Sequence, residues 1–81
     1  MNSLEIKKLV SKGYELIEPG PIDYEQYKEW QADCTDAVLS AFGEEKAKTI
    51  SVVGHNMRND EITEMNIRLR VETILRRLES L

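Results

Sequence analysis

An 81-residue chain with 11 basic and 15 acidic side chains, 41% apolar and 32% charged, is one small domain of net charge −4. At roughly 100–200 residues per domain there is no room for a second, and folding at this size buries only about 60–65% of the surface that the unfolded chain exposes. One cysteine and one histidine exclude a disulfide framework and a four-ligand Cys/His zinc cage, and no apolar run approaches the roughly 20 residues that cross a bilayer.

The first element is a helix expected from about Ser3 to Glu18. Asn2 or Ser3 can cap it, and Asn2 with Glu5 has capping-box spacing. Ile6, Leu9, Val10, Gly13, Leu16 and Ile17 fall on one helical face, with Lys7, Lys8, Ser11, Lys12 and Glu15 on the other. Gly13 is out of place, because glycine inside a helix costs about 1 kcal/mol relative to alanine. Its position on the apolar face predicts the close approach of another helix backbone. Pro19-Gly20-Pro21 ends the element.

Asp23 and Gln26 then open a second helix with capping-box spacing, and Ile22 with Tyr27 occupies the hydrophobic-staple positions. Tyr27, Trp30, Cys34, Ala37 and Ala41 form a heptad-like seam, with Val38 and Phe42 beside it. Gly43 stands where a glycine closes a helix. Residues 44–53 combine a helical opening with the β-branched run Thr49-Ile50-Ser51-Val52-Val53. A lone strand would have nothing to pair with, so a short helix is expected. Gly54-His55-Asn56 reads as a turn.

The last helix is expected from Asn59 or Asp60 to Ser80, with Asn59 as its cap. Ile62, Met65 and Leu69 share one direction, whereas Ile67, Val71, Ile74, Leu75, Leu78 and Leu81 point nearly opposite. No Pro or Gly lies between Asp60 and Leu81 to kink it. A domain this small struggles to cover both faces. Self-association is therefore expected, as a symmetric dimer first, through Ile67, Val71, Ile74, Leu75 and Leu78.

Little in the chain points to catalysis. Cys34 lies on an apolar seam, the place of a small buried hydrophobe rather than of a reactive thiolate. His55 has no arginine before it and no partner at a spacing that would make it a general base. The acidic pairs Glu44-Glu45 and Asp60-Glu61 open helices, where they complement the dipole. The candidates for contact with an anion or a nucleotide are Tyr24, His55, Arg58, Arg68, Arg70 and Arg77. The simpler expectation for the arginines is pairing with Glu64, Glu72 and Glu79. All six lysines lie at or before Lys48 and all five arginines at or after Arg58. Residues 1–57 carry ten acids against six lysines, and residues 58–81 five against five. Such a surface argues against nucleic acid as a partner, because non-specific binding draws on a basic surface. Without a signal-peptide apolar region at the N-terminus, a cytoplasmic location off the membrane is expected.

Leu9-Val10-Ser11-Lys12-Gly13-Tyr14-Glu15-Leu16-Ile17, Tyr24-Glu25-Gln26-Tyr27-Lys28-Glu29-Trp30, Phe42-Gly43-Glu44 and Ile74-Leu75-Arg76-Arg77-Leu78-Glu79-Ser80-Leu81 follow one order. In it the chain resembles the small helical module at the N-terminus of bacterial proteins with TIR-like or related nucleotide-handling effector domains, antiphage systems among them. The resemblance covers much of the chain, on amphipathic patterns with one tryptophan and two glycines. It departs at Lys46–Ser51, where an aromatic cluster would stand, and no effector domain follows Leu81. It implies the interaction part without the enzyme, in phage–host defence conflict and encoded by a phage or prophage.

The expectation is thus one all-α domain over residues 1–81, a bundle of three main helices and a short one, completed by homo-oligomerisation. No enzyme activity, cofactor or metal is expected. The leading function is a non-catalytic interaction or oligomerisation protein with a possible protein partner. The alternatives are an oligomeric sponge for a small anionic nucleotide and a small DNA-binding regulator.

Overall fold

The computed structural model describes residues 3–17, 22–53 and 58–81, which form α1 (Ser3–Ile17), α2 (Tyr24–Phe42), α3 (Glu44–Ser51) and α4 (Glu64–Glu79). A 3-10 turn over Asn59–Glu61 precedes α4, and no strand occurs among the described residues. The fold is all-α, in a body of 36 × 24 × 18 Å.

The second helix starts and stops where its local chemistry directs. The Asp23 side chain accepts from the backbone N–H of Glu25 at 2.9 Å, so the cap is made one residue earlier than the expected Gln26 position. Ile22 and Tyr27 are both buried, as a staple requires. Gly43 has φ 91°, the left-handed region that glycine enters without a Cβ penalty. It donates its N–H to the Leu39 carbonyl at 3.1 Å, and its own carbonyl accepts from Ala47. One residue therefore ends α2 and starts α3.

Residues 44–51 are helical despite their β-branched composition. Thr49 Oγ1 and Ser51 Oγ turn back onto the carbonyls of Lys46 and Lys48. Ala47 and Ile50 reach the core, and α3 ends two residues short of the expected 53. The Pro19–Pro21 stop and the Gly54-His55-Asn56 turn lie outside the described residues.

The last helix begins at Glu64, not at Asn59 or Asp60. Thr63 is its cap: the side chain accepts from the Asn66 N–H at 3.2 Å, while Asn66 Nδ2 reaches back to the Glu61 carbonyl at 2.8 Å. Asn59 instead opens the 3-10 turn that leads into this cap. From there the helix is uninterrupted to Glu79.

The core is a single cluster. Tyr27, Trp30, Cys34, Ala37 and Val38 from α2 meet Ile67, Val71, Ile74, Leu75 and Leu78 from α4, with Ile6 and Ile17 of α1 closing one side. These five α4 residues are the ones expected to form an intersubunit surface, and that expectation is corrected here. They are buried inside their own chain, because α1 and α2 supply a matching apolar wall. The opposite stripe faces outward instead, with Met65 71% exposed, Leu69 55% exposed and Ile62 half-buried.

Gly13 explains part of that wall. A Cβ there would stand 2.6 Å from Trp30 Cζ2 and 2.7 Å from Leu75 Cδ2. The close approach expected at Gly13 is real, but side chains make it rather than a second backbone.

Candidate functional site

The described surface holds an open groove with mostly apolar walls, of about 660 Å³. Ile6, Lys7, Val10 and Ser11 of α1 form one wall; Leu78 and Glu79 of α4 with Leu81 form the other. Phe42, the last residue of α2, closes the end and is 46% exposed. The start of α1 and the ends of α2 and α4 therefore meet in one place. Helix amphipathicity explains the apolar floor: Ile6 and Leu78 are core residues at its edge, while Val10 and Leu81 are half-buried and pack against the core.

The polar groups of the groove sit on its rim and carry opposite charge, Lys7 on α1 and Glu79 on α4. Glu79 is also held by Tyr14, whose hydroxyl donates to the two carboxylate oxygens at 3.1 and 3.3 Å. That hydrogen bond, reinforced by the carboxylate charge, holds Tyr14 above the ordinary tyrosine pKa. The bond spans α1 and α4 beside the groove. An apolar trough with one cation and one anion on opposite walls suits an amphipathic helix, laid in by its apolar face.

Among the described residues expected to receive an anion, Arg58 and Arg70 both act on the Glu61 carboxylate, and Arg70 and Arg77 reach the end of α3. Arg70 Nη1 donates to the Val53 carbonyl and Arg77 Nη1 to the Thr49 carbonyl, each at 2.6 Å. Both carbonyls lie in or just after the last turn of α3, where helical partners run out. Arg70 and Arg77 thus tie down the end of α3. Arg58 is exposed and pairs with Glu61 at 3.4 Å and Asp60 at 3.7 Å. Glu61 also accepts the Arg58 backbone N–H at 2.9 Å, and this bond and charge hold its carboxyl below the ordinary value. Arg68 is half-buried beside Thr63, Glu64 and Met65. Tyr24 stacks on Tyr27 with ring centroids 6.1 Å apart, and the Lys28 ammonium lies 5.0 Å above its ring. His55 lies outside the described residues.

Tyr27 and Cys34 are the buried titratable groups of the core. The Tyr27 hydroxyl makes no well-aligned hydrogen bond. Burial raises its pKa, and the facing Arg70 guanidinium opposes the rise. Burial also pushes the Cys34 thiol up to about 12, helped by Asp33, so the thiolate is scarce at neutral pH. Among the described residues no group of three His, Cys, Asp or Glu side chains is placed to hold a metal ion, and no helix is long and apolar enough to cross a membrane.

Reading along single helices missed Lys7, Val10, Phe42, Glu79 and Leu81 as a joint site. Each helix shows its own apolar face, whereas this groove exists only where three helix ends meet. One signal was available: at 19 residues α2 is one turn longer than the 15-residue α1, which favours an overhanging Phe42. No protein-family model matches the chain, and no curated protein or solved structure matches it.

Proposed function

We propose that this chain is a non-catalytic interaction module whose binding surface is the apolar groove between α1 and the end of α4. The observation that carries the reading is the groove itself. Val10, Phe42 and Leu81 remain partly open to solvent after Ile67, Val71, Ile74, Leu75 and Leu78 have completed the core. Covering such a surface gains about 25 cal/mol for each Å² of apolar area removed from water. The outer stripe of α4, with Met65 and Leu69 exposed, is a second apolar patch. The sequence resemblance to modules that precede antiphage effector domains supports placing the partner in phage–host conflict. A nucleotide sponge finds less support, since Arg70 and Arg77 are engaged with backbone carbonyls of α3.

The test compares the chain with its Phe42→Glu and Val10→Glu variants, each checked for an unchanged helical signal. Size-exclusion chromatography with light scattering reads self-association, and affinity capture from the native host reads other partners. Association lost in both variants is expected. A wild-type chain that stays monomeric at hundreds of micromolar and captures nothing that the variants fail to capture would overturn the reading.

A further inference from the structure

We infer that the occupant of the groove is the groove region of a second copy of this chain, related by a two-fold axis, with Lys7 of each copy against Glu79 of the other. The inference rests on the groove being an interaction surface and adds the identity and geometry of what fills it.

Two features make the region complementary to itself. The first is charge. Lys7 and Glu79 stand on opposite walls of one trough, and a two-fold axis that runs along the trough brings opposite walls of two copies together. Each copy then sets a cation against the other's anion, in two equivalent pairs, with the Tyr14 hydroxyl remaining on Glu79. The second is shape. Leu4 lies one turn before Lys7 on α1 and is 63% exposed, an apolar knob beside an apolar hole. An isologous contact needs both on one surface, and the start of α1 carries the knob while Val10, Phe42 and Leu81 line the hole. A heterologous helix would have to bring a matching apolar row with an acid and a base in reversed order, whereas a second copy has that arrangement already.

The experiment uses the two single charge reversals, Lys7→Glu and Glu79→Lys, with light scattering on the whole chain. Wild type is expected at about twice the 9.4 kDa of the monomer at tens of micromolar. Each reversal alone sets like charges together twice and is expected to weaken the dimer on the order of tenfold or more. Mixing the two variants is the decisive arm. One copy then carries two acids and the other two bases at positions 7 and 79, so a mixed dimer should form with affinity near that of wild type. The double variant Lys7→Glu/Glu79→Lys should dimerise by itself. Circular dichroism melts control for folding, and Leu4→Ser, away from the charges, should also weaken the dimer.

A monomeric wild type overturns the inference; if host capture then still depends on Phe42, the groove is an interaction surface for another protein. A dimer indifferent to both reversals also overturns it and moves the contact to another face, Met65 and Leu69 being the other exposed apolar pair on α4. Loss in each single variant without recovery in the mixture rules out the two-fold pairing.

Discussion

Trp30 reaches from α2 to α1 and donates its indole N–H to the Leu9 carbonyl at 2.8 Å. That carbonyl lies one turn before Gly13, over which the same ring lies. The hydrogen bond fixes the ring in the plane that the missing Cβ makes available. Leu75 of α4 enters the same space, so one small residue sets how closely three helices pack.

Gly13→Ala is accordingly expected to destabilise. Alanine is intrinsically better in a helix by about 1 kcal/mol, but overpacking a core costs about 1–3 kcal/mol. The clash should prevail, because the anchored indole and buried Leu75 have little room to retreat. Urea denaturation should show a lower midpoint. A higher midpoint would mean that the ring shifts freely.

The helix starts can be separated by single substitutions. Asp23→Ala and Thr63→Ala each remove a side-chain acceptor from a helix N-terminus and should cost about 1 kcal/mol. Asn59→Ala, outside α4, should stay within about 0.5 kcal/mol of wild type. Equal losses at positions 59 and 63 would contradict the cap at Thr63.

Arg70 and Tyr27 make a titration experiment. Burial raises the Tyr27 pKa and the Arg70 charge lowers it, so Arg70→Ala should move the phenolate absorbance transition to higher pH. The stability sign follows. A phenol whose folded pKa lies above the unfolded value of 10.0 contributes stability present below that value and lost as pH rises through the folded one. Unfolding midpoints measured across the alkaline range should fall, and fall over a wider range in the Arg70→Ala variant. An unmoved phenolate transition would show that the guanidinium does not act on this hydroxyl.

Cys34 should be silent towards a thiol reagent at neutral pH. It has no exposed surface, and its pKa of about 12 leaves little thiolate. Reaction with a disulfide reagent, followed against urea concentration, should track global unfolding. Fast labelling of the native chain would reveal an opening of α2 that the packing does not allow.

How much was legible in the chain depended on range. The bounds of α2 follow from Asp23 and Gly43, both local signals, and its seam residues are in the core. The two apolar stripes of α4 were equally visible, but their spacing does not say which one faces inward. That choice depends on the wall built by the other helices, where Gly13 leaves the space that Trp30 and Leu75 fill. The arginines failed for a related reason. Helical spacing pairs them with neighbouring acids, whereas Arg70 and Arg77 bridge 17 and 28 residues to reach Val53 and Thr49. The groove was hidden because it belongs to three helix ends at once.

The reach of those two arginines has a consequence for the order of events during synthesis. The carbonyls that they bind emerge from the ribosome well before the guanidinium groups do, and the cleft beside Gly13 awaits Leu75 from the same late segment. A nascent chain that stops short of α4 therefore displays its tryptophan seam to solvent, as a chaperone substrate would. Release of the final helix is the step that closes it.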